Sequence, residues 1–326
     1  MARRTILVLG PGSHGIPIER YLDAIRERVS TFDVERARTR AETLEKIPDA
    51  TVVAGKAIDD EALDRAENME LFACTSAGYD HLPLAELEAR GVAVTNGSGI
   101  HGPNMAEQVV GNILVFTRRL DEGWRRQRDR RWQRYQAHEL MGSTVTVVGL
   151  GAIGEAVVER LEPFGVDTIG VRYTPEKGGP TDEVIGFGGD DFDEALARTD
   201  YLVLACPLTE TTRGLVGSEE LKTLSPDAVL VNVARGPVVD TDALVAAVRS
   251  NELRGAALDV TDPEPLPEDH PLWNFENVHV TPHMAGHTPE YYDRAADILA
   301  RNLERVAETG EFADLENQVA GPEGTP

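Results

Sequence analysis

Three side chains of complementary chemistry follow short apolar runs in the second half of the chain. Arg235 follows the segment VNVA, Glu264 lies within the segment DPEP, and His283 follows the dipeptide TP. Each residue type alone is more often a surface or structural residue than a catalytic one. Together they supply a fixed cation, a carboxylate and a titratable imidazole, the groups needed to hold a small acid and transfer one proton. We therefore expect Arg235, Glu264 and His283 to be catalytic.

A glycine motif upstream of these residues predicts a dinucleotide site. The chain contains two such motifs, at 10–15 and 149–154. In the first, Pro11 places a rigid ring where the backbone would approach a pyrophosphate, and Pro17 delays the helix whose N-terminus would hold the anion. The second directly follows the β-branched run TVTVV and leads into a helical segment, so it is the better nucleotide site. Its predicted cofactor-binding residues are Gly149, Gly151, Ala152, Ile153 and Gly154.

The strand after the second motif predicts which cofactor is preferred. It ends at Arg172, Tyr173 and Thr174, where an NAD-binding chain would place Asp or Glu. A carboxylate there accepts hydrogen bonds from the ribose and repels a 2′-phosphate, whereas Arg attracts the phosphate. A charge-assisted bond of roughly 1.5 to 3 kcal/mol corresponds to about ten- to a hundred-fold in affinity. We predict NADP(H) as the preferred cofactor, with NAD(H) as the alternative. Arg172 is expected to be the main determinant and Thr174 a hydroxyl donor.

Short Val-, Ile- and Leu-rich runs alternate with helix-like segments, which is typical of a parallel sheet covered by helices on both faces. The predicted strands, too many for one such sheet, are 5–9, 51–54, 71–75, 92–95, 145–149, 168–171, 201–205, 228–233, 255–260 and 278–281. We expect two α/β domains, with a helix at 104–119 bridging them and a helix at 291–306 returning the chain to the first. The predicted domains are 1–101 with 287–326, and 102–286.

The net charge of the chain is unusual. It holds 56 acidic and 32 basic residues, which gives a formal net charge of −24 at pH 7. Self-repulsion of this size opposes compactness at low salt and is screened at high ionic strength. The composition resembles proteins of salt-accumulating halophiles, with an acidic mesophilic enzyme as the alternative. Nucleic acid and anionic membranes are poor partners for such a surface.

Cysteine content and hydropathy favour a cytoplasmic protein. Cys74 and Cys206 both lie within apolar runs and are expected to be buried thiols rather than a disulfide or a metal site. No apolar stretch approaches the roughly 18 to 20 residues of a membrane span, and we find no secretory signal at the start of the sequence. We therefore expect a cytoplasmic location, no membrane partner and no metal.

An arginine-rich segment predicts a subunit contact. Residues 118–134 hold eight arginines, with Trp124 and Trp132 between them. In a nucleic-acid-binding protein such a segment would be a binding arm, but the net charge argues against that. A solvated helix face and an interface with a second subunit remain. We favour the interface, because Trp and Arg are enriched at subunit contacts, and expect a homodimer.

The combination of motifs resembles the D-isomer-specific 2-hydroxyacid dehydrogenases. The resemblance covers nearly the whole chain, and its most specific part is the order and spacing of Arg235, Glu264 and His283. The other matching segments are AGYD at 77–80, GLGAIG at 149–154, CPLT at 206–209, VNVARG at 231–236, LDV at 258–260, PEP at 263–265 and TPHMAG at 281–286.

This resemblance implies a fold and a reaction. The fold would be a Rossmann-type cofactor domain and a flavodoxin-like substrate domain, both doubly wound parallel sheets, with the active cleft between them and a dimer built on the cofactor domains. The reaction would be the NAD(P)H-dependent reduction of small 2-oxo acids to D-2-hydroxy acids. In it Arg235 would bind the substrate carboxylate, His283 would be the acid or base, and Glu264 would be the partner of His283.

The same resemblance implies further site residues. Asp259 would contact the nicotinamide carboxamide. Other implied cofactor contacts are Tyr173, Thr174, Cys206, Pro207, Thr212, Val233, Ala234, His283 and Ala285. The implied substrate contacts are Ser76, Ala77, Gly78, Tyr79, Arg235 and His283.

Several alternatives are weighed against this function. A formate dehydrogenase is disfavoured, because enzymes of that type on this scaffold replace the carboxylate partner of the His by an amide, and this chain has Glu264. A glyoxylate or hydroxypyruvate reductase and a phosphoglycerate dehydrogenase fit the same motifs, although the chain ends before the regulatory domain that many of the latter carry. A nucleotide-sensing interaction protein, similar to corepressors of this scaffold, is the alternative outside enzymes.

Overall fold

The computed structural model describes residues 4–79 and 81–323. Asp80, the last residue of the AGYD segment, lies outside the described residues. The described chain forms two compact units. One comprises the residues up to His101 together with those from His287 onward, and the other runs Gly102–Gly286.

The first unit opens with seven strands and four helices among its described residues. The strands are β1 (Arg4–Leu9), β2 (Gly12–Ser13), β3 (Ile16–Pro17), β4 (Phe32–Ala37), β5 (Val52–Gly55), β6 (Leu71–Cys74) and β7 (Ala93–Thr95). The helices are α1 (Glu19–Arg28), α2 (Arg40–Lys46), α3 (Asp60–Arg65) and α4 (Leu84–Ala89).

The second unit follows, and the chain then returns to the first. Its helices are α5 (Gly102–Arg118), α6 (Leu120–Arg128), α7 (Ala152–Leu161), α8 (Gly189–Arg198), α9 (Ser218–Thr223) and α10 (Thr241–Arg249). Its strands are β8 (Thr144–Val148), β9 (Asp167–Val171), β10 (Glu183–Ile185), β11 (Tyr201–Leu204), β12 (Val229–Asn232), β13 (Gly255–Leu258) and β14 (Val278–Val280). The returning elements are α11 (Tyr291–Thr309) and β15 (Gln318–Ala320).

The sheet of the second unit has the strand order of a dinucleotide-binding fold. Its described strands are all parallel, in the order β10-β9-β8-β11-β12-β13-β14. The chain starts in the middle at β8, moves outward to β9 and β10, and then crosses to β11 on the other side. Ligands of such sheets bind at the carboxyl ends of the strands where the order reverses. The predicted Rossmann-type architecture is confirmed.

The sheet of the first unit has a different order. Its described strands run β15-β7-β6-β5-β1-β4, parallel except for β15 against β7. Without the antiparallel edge strand β15, this is the flavodoxin-like order of a doubly wound sheet. The strands β2 and β3 form a separate hairpin. The predicted flavodoxin-like architecture is therefore confirmed as well.

Both sheets are covered on two faces, which explains their continuous apolar strands. In β8, Val145 and Val147 pack in a core with residues of α5 and α7. The next residue, Val148, points to the opposite core, which contains residues of α8, α9 and α10. In β1, Ile6 packs with residues of α1 and α11, while Leu7 packs in a core with residues of α3 and α4. Alternate residues of one strand therefore fill different cores.

All ten predicted strands are present, and five further strands, β2, β3, β4, β10 and β15, are not predicted from the sequence. Of these, β4, β10 and β15 lie at sheet edges and have partly exposed side chains. An edge strand needs no continuous apolar run, because one of its sides faces solvent. Within residues 4–79 and 81–323, no helix combines the length and the apolar character needed to cross a bilayer.

Candidate active site

The glycine loop 149–154 connects β8 to α7 with close backbone packing. Gly149 has a φ of +101°, and a Cβ atom there would lie 2.7 Å from the Cα atom of Cys206. A Cβ atom on Gly154 would overlap the Gly149 carbonyl oxygen, so α7 packs against the loop only without a side chain there. A Cβ atom on Gly151, in contrast, would meet nothing within 4 Å. The loop therefore leaves the backbone at Gly151 open to an approaching group.

A pocket of about 290 Å³ lies beside this loop. It is formed by the loop itself, by the residues after β9 and by the residues after β11. The N-terminus of α7, which favours anions, starts at the same loop. Open backbone, a helix N-terminus and cationic walls fit the phosphates of a dinucleotide. The predicted cofactor residues that line the pocket are Gly149, Gly151, Arg172, Tyr173, Thr174, Cys206, Pro207 and Thr212.

Two cationic side chains line the pocket. The Arg172 guanidinium donates a hydrogen bond to the carbonyl oxygen of Gly178, which orients it across the loop that follows β9. Lys177 lines the same pocket and is not among the predicted cofactor residues. It is nevertheless conspicuous in the sequence, because it is one of only four lysines in this acidic chain. Tyr173 is 82% exposed, so it forms the outer rim.

The first glycine motif does not lead from a strand directly into a helix. Residues 12–17 form the hairpin of β2 and β3, with His14 and Gly15 at positive φ in the turn. The helix α1 begins only at Glu19, two residues after Pro17. The structure therefore offers the phosphate-binding loop and helix at 149–154 and not at 10–15.

Glu264 and His283 lie in direct contact. His283 Nδ1 is 2.6 Å from Glu264 Oε1, and both side chains are about half exposed, at 50% and 40%. His283 follows β14 and has a φ of +49°. Because Nδ1 faces the carboxylate, the other ring nitrogen, Nε2, is the one that can face a substrate. The carboxylate orients the ring.

Arg235 is in the segment that follows β12. Like His283 after β14, it lies at the carboxyl ends of the parallel strands. Its guanidinium donates to the carbonyl oxygen of Ala234 at 2.7 Å. The buried Asn232 holds this loop, since its amide donates to the Arg235 carbonyl and its oxygen accepts from the Ala234 N–H. A Cβ atom on Gly236 would overlap the Thr261 carbonyl, so this loop packs against the segment that leads to Glu264. Val233 and Ala234 lie in the same loop, and their cofactor contacts stay predictions.

Asp259 directly follows β13, the strand between β12 and β14, and is 2% exposed. Its carboxylate accepts from the N–H groups of Met284 and Ala285, from the hydroxyl of Thr281 and from the amide of Gln108. Asp259 therefore holds the residues around His283 in place through hydrogen bonds within its own unit. Its predicted contact with the nicotinamide stays a prediction. Gln108 and Asn232 are not predicted as site residues, because an isolated amide on a helix or strand has no recognisable pattern.

Both cysteines are buried free thiols, as expected. Burial raises the pKa of the Cys206 thiol to about 11, so it remains protonated at neutral pH. Burial also raises the pKa of Cys74. Cys206 therefore contributes a neutral wall to the pocket and not a nucleophile. In the described residues, no group of three or more His, Cys, Asp or Glu side chains could hold a metal ion.

The predicted substrate residues Ser76, Ala77, Gly78 and Tyr79 belong to the first unit and follow β6. The carbonyl of Ser76 accepts from the N–H of Gly97, and that of Ala77 accepts from the Asn96 side chain. These bonds fix the backbone of the segment. Its role in substrate binding stays a prediction.

Intrachain contacts occupy part of the arginine-rich segment. Arg125 and Arg126 pair with Glu122 on α6, and the Arg119 and Arg126 guanidinium groups lie over the Tyr135 ring, 5.9 and 5.0 Å from its centroid. The two tryptophans stay exposed, Trp124 to 54% and Trp132 fully. The exposed tryptophans leave this surface available for a second subunit, and the subunit contact stays a prediction.

A family model described as the NAD binding domain of D-isomer specific 2-hydroxyacid dehydrogenase matches residues 110–285. A glyoxylate reductase of Thermofilum pendens is 40% identical over 253 residues, which cover 76% of this chain and 74% of that protein. The chain belongs to the D-isomer-specific 2-hydroxyacid dehydrogenase family. As a member of this family it is a nicotinamide-dependent oxidoreductase, and the predicted resemblance is confirmed.

Solved structures agree with this assignment. The D-isomer specific 2-hydroxyacid dehydrogenase of Xanthobacter autotrophicus Py2, in complex with NADPH and MES, has a TM-score of 0.79 at 30% identity and covers 98% of both chains. The NADPH-dependent glyoxylate/hydroxypyruvate reductase of Sinorhizobium meliloti, in complex with citrate, has a TM-score of 0.76 at 30% identity, also over 98% of both chains. The 2-hydroxyacid dehydrogenase fold therefore extends over nearly the whole chain.

Proposed function

We propose that this dehydrogenase reduces small 2-oxo acids to D-2-hydroxy acids, with NADPH as the preferred cofactor. The observation that carries the proposal is the 2.6 Å contact between His283 and Glu264. This pair lies at the carboxyl ends of the parallel strands, as Arg235 does. NADPH supplies the hydride. Arg235 holds the substrate carboxylate with two parallel hydrogen bonds, which fixes the 2-oxo carbon. His283 donates a proton from Nε2 to the oxygen on which negative charge develops, while Glu264 holds the ring.

The preference for NADPH follows from the charge of the cofactor pocket. Arg172 and Lys177 both line it, and Thr174 adds a hydroxyl group. These groups attract a 2′-phosphate. Among the described residues that line the pocket there is no Asp or Glu that would repel it. The two structural relatives above are described with NADPH or as NADPH-dependent, which supports the same preference. The test compares kcat/KM for the two cofactors, and a tenfold preference for NADH would contradict it.

The substrate class is tested by a screen of 2-oxo acids. Glyoxylate, hydroxypyruvate and 2-oxo acids with longer side chains are offered with NADPH, from dilute buffer to molar salt. We expect oxidation of NADPH and, by chiral separation, the D-hydroxy acid as product. The relative named glyoxylate reductase makes glyoxylate the first substrate to test. No oxidation under any salt condition would favour the nucleotide-sensing alternative, and oxidation of 3-phosphoglycerate alone would favour a phosphoglycerate dehydrogenase.

The remaining expectations concern the surroundings of the enzyme. We propose a cytoplasmic, salt-adapted homodimer that uses the segment 118–134 at its interface. The net charge of −24 supports the salt adaptation, and the exposed tryptophans support the interface. Sedimentation at working salt tests the dimer, and a strictly monomeric protein would contradict it. We also propose that Ser76, Ala77, Gly78 and Tyr79 contact the substrate.

A further inference from the structure

The turn that carries His283 has a backbone conformation that residues with side chains rarely adopt. The φ of His283 is +49°, in the left-handed region. Such a conformation persists only where the surrounding structure holds it. The His283 N–H donates to the carbonyl oxygen of Asp259 at 2.8 Å. This bond ties the turn to the end of β13.

The Asp259 carboxylate holds the next two residues of the turn. The N–H of Met284 donates to Oδ1 at 3.0 Å, and the N–H of Ala285 donates to Oδ2 at 2.9 Å. With the His283 N–H on the Asp259 backbone carbonyl, three successive amides of the turn donate to one residue, two of them to its carboxylate. Because Asp259 is almost fully buried, the orientation of its carboxylate determines the orientation of the turn.

The Asp259 carboxylate is itself oriented by Gln108 and Thr281. The Gln108 side-chain amide donates to Asp259 Oδ1 at 3.1 Å and to the Thr281 hydroxyl at 3.0 Å. The Thr281 hydroxyl donates to the same carboxylate oxygen at 2.5 Å. The three side chains close a triangle in which both hydrogens of the Gln108 amide are used. A satisfied polar network of this kind holds one geometry.

The helix α5 connects this triangle to the rest of the second unit. Asn104, four residues before Gln108 and therefore on the same helix face, donates to the carbonyl oxygen of Ala285 at 2.6 Å. At the start of α5, a Cβ atom on Gly102 would lie 3.0 Å from the carbonyl oxygen of Ala152 on α7. One helix therefore contacts both the His283 turn and the helix that follows the glycine loop.

We infer that Gln108 is a positioning residue for the acid–base group His283, acting through Asp259 and Thr281. The inference rests on the proposed function, since it assigns proton transfer to His283. Gln108 keeps the Asp259 carboxylate in the orientation that receives the turn, and the turn keeps the imidazole against Glu264. A proton donor misplaced by about 1 Å can lose on the order of a hundredfold in rate.

The first test replaces the amide without changing the length of the side chain. Gln108→Met removes both donors, and we expect kcat with a 2-oxo acid to fall by about ten- to a hundred-fold, because proton transfer loses its geometry. The dissociation constant of NADPH, measured by its fluorescence, is expected to change less than kcat, because the residues that line the pocket beside the glycine loop are untouched. The matched control is Glu107→Gln on the exposed neighbouring position of α5, which is expected to keep the wild-type kcat.

A second pair of variants tests the same triangle if Gln108→Met does not fold. Thr281→Val removes the hydroxyl group, and Thr281→Ser keeps it. We expect Thr281→Val to lose kcat and Thr281→Ser to restore most of it. Equal losses in both variants would contradict the role of the hydroxyl in positioning.

A spectroscopic measurement separates this inference from the proposed function. In protein with ¹⁵N-labelled histidine, the Nδ1–H signal of His283, assigned by its loss in His283→Gln, reports the contact with Glu264. We expect it to shift or broaden in Gln108→Met and in Thr281→Val, and to stay unchanged in Glu107→Gln. An unchanged signal, or a kcat within twofold of wild type in Gln108→Met, would overturn the inference. A wild type that reduces no 2-oxo acid refutes the proposed function alone, since the histidine signal still decides the positioning.

Discussion

Replacing Glu264 by Gln tests the acid–base pair directly. The amide has the same shape as the carboxylate, and its oxygen can still accept a hydrogen bond from His283 Nδ1, so the ring keeps its orientation. What is lost is the negative charge 2.6 Å from that nitrogen. His283 therefore keeps its orientation but loses an ion-pair partner.

The size of the effect follows from the exposure of the pair. The hydrogen bond is kept, so the loss is the charge–charge part of the pair. Both side chains are about half exposed, at 50% and 40%, and exposed ion pairs contribute about 0.2 to 1 kcal/mol. The upper value, about 1 kcal/mol, corresponds to roughly a fivefold loss in kcat/KM for reduction at neutral pH.

The assay is NADPH oxidation with the best 2-oxo acid across pH 5 to 9. Glu268→Gln removes one negative charge from an exposed position four residues away and is the matched control. We expect Glu264→Gln to lower kcat/KM and Glu268→Gln to keep the wild-type value. If both variants keep wild-type kcat/KM over the whole range, Glu264 is not the partner of the proton donor.

Three further predictions follow from the geometry. Arg235→Lys is expected to lower kcat/KM for the 2-oxo acid by about ten- to a hundred-fold through the lost two-point contact, with NADPH affinity unchanged in a fluorescence titration. Gly154→Ala is expected to lower the free energy of unfolding, because its methyl group meets the Gly149 carbonyl. Gly151→Ala is expected to keep the free energy of unfolding and to weaken NADPH binding, because its methyl group enters the open side of the loop. Equal changes in unfolding free energy and in NADPH affinity for the two variants would contradict this description of the loop. The pKa of His14 is lowered from 6.5 to about 4 by burial and by nearby positive groups. The unfolded chain therefore binds a proton at this residue at higher pH than the folded chain does. As a result, the free energy of unfolding is expected to fall as the pH drops from 6.5 towards 4. Urea unfolding at pH 7 and pH 5 checks this, and His14→Gln should show a smaller loss.

The sequence is most informative where burial is continuous. The runs TVTVV of β8 and VLVN of β12 are predicted as strands because both faces of their sheet are covered, and the structure has them at nearly the same residues. In β4, the residues FDVERA mix charged and apolar types, since this strand lies at a sheet edge. Such a strand is set by the neighbour it pairs with, and its own sequence contains little information about that neighbour.

The same contrast holds for the candidate site. Arg235, Glu264 and His283 are recognisable because their chemistry is unusual next to apolar strands. Gln108 is separated by 151 residues from the carboxylate it contacts, so only the fold brings the two together. An amide on a half-buried helix face is common in any protein, and nothing in its neighbours marks it as part of a network.

The way the first unit is assembled affects how the protein is made. Its helix α11 packs on α1, and its strand β15 pairs with β7, so these partners are contributed from opposite ends of the chain. The second unit is continuous in sequence and emerges from the ribosome in one piece. It can therefore complete its fold during translation. The sheet face of the N-terminal segment that α11 covers stays exposed until residues beyond 286 are synthesised. Synthesis rate and chaperone access then matter for the segment that is translated first.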